Sequence, residues 1–540
     1  MGTRYERTGV VAWLVLTGVL LAWLAISLPA HGFTAGDPGV KLIAALEAAA
    51  HPTRLFQIDL PTVAGRPVRY VERFFTLHGD HMHALQSPLF PVLAAPFVWL
   101  GGLRAAYLIP AASFIVLLWC SFRVHRALNS QASLTVFAAV ATLASPLFFY
   151  VLDFWEHVPA AACLAAGTML ALESKSAAEW RIGRSLLAGI VGGVAVLLRP
   201  EAVWYALGLG LLFRGRRWAS YLAGFAAVTS LYAVANVVES GNPVGYHAAA
   251  NLASLGDRWL ATRAERAVLW MGLDSPCLFA GVAAVGAAWC SARMGLATRF
   301  AQAFALGGAA VVGTASALGA FGADTLWHAW PIGLVVATPR ANSHGDGALW
   351  WLLGVSFVGV WLTSTHDGGA QWGPRMLLIA TPVLVVLSAS AVNDCLGPGR
   401  AVWLRRGLVC VLLLGGIWTT RTAYLELRSA KRHSAGLVDS IERVAPTGSY
   451  VVSNVWWLDQ LAASLHFSRT FLFAESTVTA RAILAELEGA GIDHVVLAWS
   501  LDPTEMGSLE PATSDTCYAV KERFHSGEPA VTLATATCLP

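Results

Sequence analysis

The sequence predicts a polytopic α-helical membrane protein of about 13 transmembrane helices, closed by a small C-terminal α/β domain. Three observations predict it. Only 13% of the 540 residues are charged and 56% are hydrophobic, with a mean hydropathy of +0.59, whereas a soluble domain carries about 25% charged residues. Apolar runs of about 15 to 23 residues recur from Val10 to Ile417, the length that matches a bilayer's hydrocarbon thickness. Basic residues fall in alternate connecting loops, as cytoplasmic loops require. One oversized soluble core does not explain this, because single cores stop growing at roughly 250 to 300 residues.

The first span is expected at 9–30. Arg4 and Arg7 before it, and Pro29-Ala30 after it, imitate a secretory signal. The run is longer than a signal's apolar region, so a retained helix with a cytoplasmic N-terminus is expected. An outer loop over 31–103 follows, containing Gly36-Asp37-Pro38-Gly39 and the stretch Phe75 to His81. Its apolar segment Pro88 to Leu100 is short and proline-rich, and is expected to lie on the outer membrane surface. Were it to cross, Arg123, Arg126 and the later basic loops would fall outside.

The remaining spans are expected at 104–121, 131–150, 158–172, 185–198, 201–213, 219–237, 270–291, 301–322, 326–339, 347–363, 376–392 and 404–420. Loops 122–130, 173–184, 214–218, 292–300 and 393–403 then become cytoplasmic and hold most of the arginines. The segment 326–339 is short enough for a re-entrant path. Two domains follow: 1–424, membrane-embedded and including the outer loop, and 425–540, soluble. In the second, strands at 449–454, 470–474 and 494–498 alternate with helices at 458–465 and 478–489. An odd number of spans puts this domain on the outer, periplasmic face.

Several classes are excluded. The net charge of +3 comes with no basic stripe, finger or helix-turn-helix pattern, so no nucleic-acid partner is expected. The C-terminal domain has no glycine-rich phosphate loop. The eight cysteines show no metal-cluster spacing. Cys120, Cys163, Cys277, Cys290 and Cys410 read as small buried hydrophobes, and Cys395 falls in a short loop. Cys517 and Cys538 lie in the polar tail and are candidates for a disulfide in an oxidising compartment.

Polar chemistry gathers at the expected outer ends of the spans. Asp37 follows span one; Asp80, His81 and His83 come late in the outer loop; Asp153, Glu156 and His157 lie between two spans; Arg199 and Glu201 flank Pro200; His366, Asp367 and Arg375 precede a late span. A helical path would set Asp153, Glu156 and His157 on one face. The bland readings are solvated helix ends, an Arg199–Glu201 pair, and a snorkelling arginine. Their number on one side favours a polar cavity opening outward, since a charge within a membrane costs roughly 2.5 to 3.5 kcal/mol.

Taken in order, several strings resemble the GT-C superfamily of membrane glycosyltransferases, which includes protein mannosyltransferases and the lipid A aminoarabinose transferase. They are Gly36-Asp37-Pro38, the His83 to Pro91 stretch, Arg199-Pro200-Glu201, Gly241-Asn-Pro-Val-Gly245 and Gln371-Trp-Gly-Pro-Arg375. The resemblance covers roughly residues 8 to 420 and implies inverting transfer from a polyprenyl-phosphate sugar. Asp37 matches the family's catalytic Asp but lacks the adjacent second acid of many members. Arg375, Arg199, His81 and His157 are the implied donor-phosphate ligands. Asp80, Asp153, Glu156, Glu201 and Asp367 are candidate acceptor or metal contacts, with Mg or Mn as a candidate cation at Asp37. The implied partners are the lipid-linked donor, membrane lipids, and an envelope glycan, lipid or protein acceptor. An alanine-, glycine- and arginine-rich composition suggests a GC-rich bacterial source, hence a bacterial cytoplasmic (inner) membrane. The competing readings are a transporter or flippase, which needs polar residues on both sides, and a non-catalytic assembly scaffold.

Overall fold

The computed structural model describes residues 4–246 apart from 73, 130–132 and 174–180. It also describes 261, 263–266, 270, 305–312, 314 and 325–337, and 346–538 apart from 365–373, 398–401, 501–507, 515 and 526–530. The protein is a largely helical, polytopic membrane protein. Among the described residues, six helices are long and apolar enough to cross a membrane: Arg7–Ile26, Leu89–Ala106, Leu108–Leu128, Arg216–Val238, Arg375–Leu396 and Val402–Val444. Shorter apolar helices lie at Leu134–Leu143, His157–Leu172, Ile182–Leu198 and Gly347–Thr363. Most of the expected spans 270–291 and 301–322 lie outside the described residues.

Side chains such as Leu16, Trp23, Leu231, Trp403 and Leu414 stand exposed on these helices. Their number exceeds what a water-soluble surface carries and suits a lipid-facing one. Several expected spans are interrupted instead of continuous. Segment 131–150 forms a helix Leu134–Ala138, a π-helical turn Ala139–Leu143, and a separate helix Leu147–Val151. Pro146 has no N–H to give the ladder, and Ser145 Oγ accepts from Leu147 N at 3.3 Å instead. Segment 326–339 is a four-residue helix, Leu326–Ala329, and a 3-10 helix, Pro331–Ala337, again broken at a proline. Segment 201–213 reduces to Ala202–Gly210. In Leu89–Ala106, Gly101 and Gly102 leave helical geometry. The straight part thus ends at Leu100 after about 18 Å, where the helix kinks.

The chain divides into two compact units. One holds 1–23, 109–236 and 248–425; the other holds 24–108, 237–247 and 426–540. In the first, glycines allow helices to meet backbone to backbone: Gly189 lies against Tyr221 O and Gly224 against Leu186 O. The helix Thr381–Leu396 is almost wholly buried. Cys395 is part of it and fully buried, not in a loop, whereas Cys410 is exposed and not a core residue. Cys277 and Cys290 lie outside the described residues.

In the second unit the outer loop, which the sequence grouped with the membrane part, clusters with the C-terminal segment. The helix Val402–Val444 runs past the expected end of its span at 420. A five-stranded sheet follows, with β6 Tyr450–Ser453, β7 Thr470–Phe473, β8 His494–Ser500, β9 Tyr518–His525 and β10 Val531–Cys538 in the order β7-β6-β8-β10-β9. Strands β6, β7 and β8 pair in parallel, while β10 is antiparallel to β8 and β9. The last two strands were not among the sequence expectations. A disulfide joins Cys517 to Cys538 across them, Cα to Cα 4.7 Å. Val63 and Val68 of the outer loop enter the same apolar core as Val452, Leu472 and Leu497. Phe473 N donates to Tyr70 O at 2.9 Å, covering the β7 edge.

The outer loop's own helix, Gly36–Ala50, packs on the short helix Leu458–Leu461. A β-carbon on Gly36 or Gly39 would collide with Gln460, at its side chain or its backbone carbonyl respectively. Replacing Gly39 by Ala is expected to cost about 1–3 kcal/mol, the range for overpacking. The same change at Gly18, whose surroundings are open, should leave stability almost unchanged. Thermal unfolding of both variants in detergent checks the pair.

Candidate functional site

Both units gather polar side chains among their described residues. In the outer-loop unit, Asp37 sits in the first turn of Gly36–Ala50. Its carboxylate therefore lies at the positive end of the helix dipole. Pro38 follows at a position where a missing N–H costs nothing. Gln86 Nε2 donates to Asp37 Oδ1 at 3.2 Å, so two parts of the loop separated by 49 positions meet at this side chain. Asp37 is half-buried.

Strands β1 Ile58–Asp59, β4 Phe75–His78 and β5 His81–Ala84 form a small sheet in the order β1-β5-β4. Gly79 and Asp80 make the two-residue turn between β4 and β5, with Gly79 at φ 60°. Asp80 is exposed there and serves the turn. His81 faces Asp59 across the β1–β5 pair, with Nδ1 3.8 Å from Asp59 Oδ1. His83 is buried, its Nδ1 2.9 Å from Phe56 O and its ring 5.6 Å from that of Tyr246.

Three residues that sequence reading did not single out lie beside this sheet. Glu47, His51 and Asp59 offer ligand atoms all within 4.8 Å of one another, close enough to chelate a metal ion. Glu47 and His51 are one helical turn apart, the i, i+4 spacing that aligns two ligands on one face. That spacing was the available signal; Asp59 arrives from β1 and left none. Among the described residues this is the group of three or more ligating side chains that could hold a cation. Asp37 is not one of its ligands. The cluster lines a cavity of about 400 Å³ together with Asp459 and His466. Burial pushes the Asp459 carboxyl up to about 7, so near neutral pH it adds less negative charge there than its type suggests.

In the membrane unit, a turn and not a helix carries Asp153 to Glu156; the helix begins at His157. The expected single helical face of Asp153, Glu156 and His157 is therefore replaced by a tight turn, in which Asp153 Oδ1 accepts from Phe154 N at 2.9 Å. Arg199 lies at the end of Arg181–Leu198 and is buried between two carboxylates. Its Nη1 donates to Glu156 Oε1 at 2.9 Å, and its Nε and Nη2 both engage Glu201 Oε1. Nη2 also lies 3.2 Å from Met376 Sδ. The neighbouring Arg375 is buried, with its guanidinium 5.6 Å over the Trp155 ring. The ring of His157 stands 5.2 Å from Trp155 and 5.0 Å from Tyr150. Glu156, His157, Arg199, Glu201 and Arg375 thus gather in one buried polar nest, held by Trp155 and Met376, which sequence reading did not name. Asp367 lies outside the described residues.

Comparison with known proteins bears on the whole architecture. No family model matches the sequence, and no curated protein matches it. Solved structures do. ArnT from Cupriavidus metallidurans in the apo state superposes with a TM-score of 0.54 at 13% identity, over 98% of each chain. The fold is the GT-C fold. ArnT bound to undecaprenyl phosphate matches at 0.51 and 14% identity, again over 98% of each chain. Arabinofuranosyltransferase AftD from Mycobacteria matches at 0.52 and 15% identity, over 98% of this chain and 40% of that one. The GT-C fold covers the C-terminal α/β segment as well as the residues 8–420 that carried the resemblance.

Arg199, Glu156 and Glu201 form a buried charge network. Arg199→Ala removes the cation that Glu156 and Glu201 share and is expected to destabilise the protein by about 3–5 kcal/mol. A triple variant, Arg199→Met with Glu156→Gln and Glu201→Gln, should recover most of that loss. Unfolding midpoints in detergent read both outcomes.

Proposed function

We propose that the protein is an inverting glycosyltransferase. It moves a sugar from a polyprenyl-phosphate donor to an acceptor hydroxyl at the outer face of a bacterial cytoplasmic membrane. The observation that carries the reading is the GT-C fold over 98% of the chain, shared with a structure solved with undecaprenyl phosphate bound. Asp37 at a helix N-terminus, held by Gln86, supports it.

In this mechanism the Asp37 carboxylate takes the proton of the acceptor hydroxyl. The acceptor oxygen forms a bond to the anomeric carbon from the face opposite the phosphate, and the carbon–oxygen bond to phosphate breaks. The electron pair leaves with the polyprenyl phosphate. Phosphate is a competent leaving group, so no second carboxylic acid of the glycosidase kind is needed. Fixed cations stabilise the departing charge. Arg375 is the proposed phosphate ligand; it is a buried cation whose guanidinium rests over the Trp155 ring. Arg199, engaged by Glu156 and Glu201, is proposed to act through them as a positioning residue. His157 and His81 are the remaining proposed phosphate contacts. The proposed topology has about 13 spans, with the N-terminus inside and residues 425–540 in the periplasm. Acceptors in reach are envelope glycans, lipids or proteins.

Purified protein incubated with a panel of polyprenyl-phosphate sugars is expected to transfer one of them to a membrane-envelope acceptor. Asp37→Asn should lower turnover by about 10²-fold or more, the range for loss of a general base, with little change in thermal stability. Equal turnover by the variant would remove Asp37 as the base, and absence of transfer from every donor would remove the transferase reading.

A further inference from the structure

We infer that Glu47, His51 and Asp59 form a site for a zinc-class divalent ion. The inference rests on the ligating atoms and their partners, and does not depend on the transferase reading. His51 Nε2 lies 3.8 Å from Glu47 Oε2 and 3.6 Å from Asp59 Oδ2. Zinc holds nitrogen and carboxylate oxygen at about 2.0–2.2 Å, so tetrahedral ligand atoms stand roughly 3.3 Å apart. His51 Nε2 needs to approach each carboxylate oxygen by only a few tenths of an ångström, and the three ligand atoms lie within 4.8 Å of one another.

The second oxygen of each carboxylate already has an outer partner. His466 Nε2 lies 2.8 Å from Glu47 Oε1, and Arg54 Nη1 lies 2.9 Å from Asp59 Oδ1. Such partners orient ligating carboxylates and leave the free oxygen aimed at the ion. Glu47 is 3% exposed, while His51 and Asp59 are 40% and 47% exposed. A buried carboxylate needs a compensating charge, and a dication at the open side supplies one. Three protein ligands with one solvent-facing position is the arrangement of an exchangeable zinc site. An imidazole in the donor set selects against magnesium and calcium, which take all-oxygen sets.

The ligands come from the end of Gly36–Ala50 and from β1, and His466 from the C-terminal segment. Loading the site therefore joins the end of that helix to β1 within one compact unit, next to the existing Glu47–His466 contact between residues 419 positions apart. The ion's role here is to brace this unit.

The test uses the full chain in detergent, stripped by chelator and equilibrated with zinc. Metal analysis is expected to find one more zinc per chain in the wild type than in His51→Ala or Asp59→Asn. Both positions are half-exposed, so both variants should keep the wild-type circular dichroism and elution volume. Zinc should raise the wild-type unfolding midpoint and leave those of the variants unmoved. His466→Gln, which removes an outer partner, should keep the stoichiometry and weaken binding about 10- to 100-fold. Cobalt substitution gives a second readout: visible bands of a nitrogen–oxygen site in the wild type, lost in His51→Ala. Equal zinc content in wild type and both variants would overturn the site, and displacement of zinc by excess magnesium would overturn the zinc assignment.

Discussion

The contact between Gly36–Ala50 and Leu458–Leu461 ties the outer loop to the C-terminal segment. The two helices approach closely because Gly36 leaves room for the Gln460 side chain and Gly39 for its backbone carbonyl. That approach sets the axis of the first helix, and with it Asp37 at one end and Glu47 and His51 at the other. The Gly-Asp-Pro-Gly string thus serves two demands at once. Its glycines permit the approach, and its Asp and Pro suit the first turn of a helix.

The membrane unit answers a different constraint. In a low-dielectric interior an unpaired charge is expensive, so charges appear as matched sets. Arg199 takes two carboxylates, Arg375 takes an aromatic face, and Trp155 links the arginine to His157. Short helices and proline breaks surround these groups, as the Ala144–Pro146 break illustrates. Non-helical backbone at membrane depth survives only where protein or a cavity covers it. The broken spans and the buried polar nest are thus two views of one fact.

Membrane class, helical character and the start of the α/β segment were legible in the sequence, because each rests on local composition and period. Hydropathy located Arg216–Ser240 and Gly347–Thr363 to within a few residues. It overextended where prolines broke the ladder, since an apolar run stays apolar whether or not its backbone bends. Strands β9 and β10 escaped because their residues, such as Lys521, Glu522 and Thr535, carry little apolar alternation.

The individual acids and arginines were also legible; their pairing was not. Sequence alone placed Asp37 just after the first span and set Arg199 and Glu201 on either side of Pro200. Those are short-range facts, decided by propensity and spacing within a few residues. Only the tertiary structure decided that Glu156 completes the Arg199 pair from 43 positions away. Likewise, it brought Asp59 and His466 to the Glu47–His51 face, and Gln86 to Asp37. Such contacts follow from how whole elements pack, and no local run of residues encodes the distance between them.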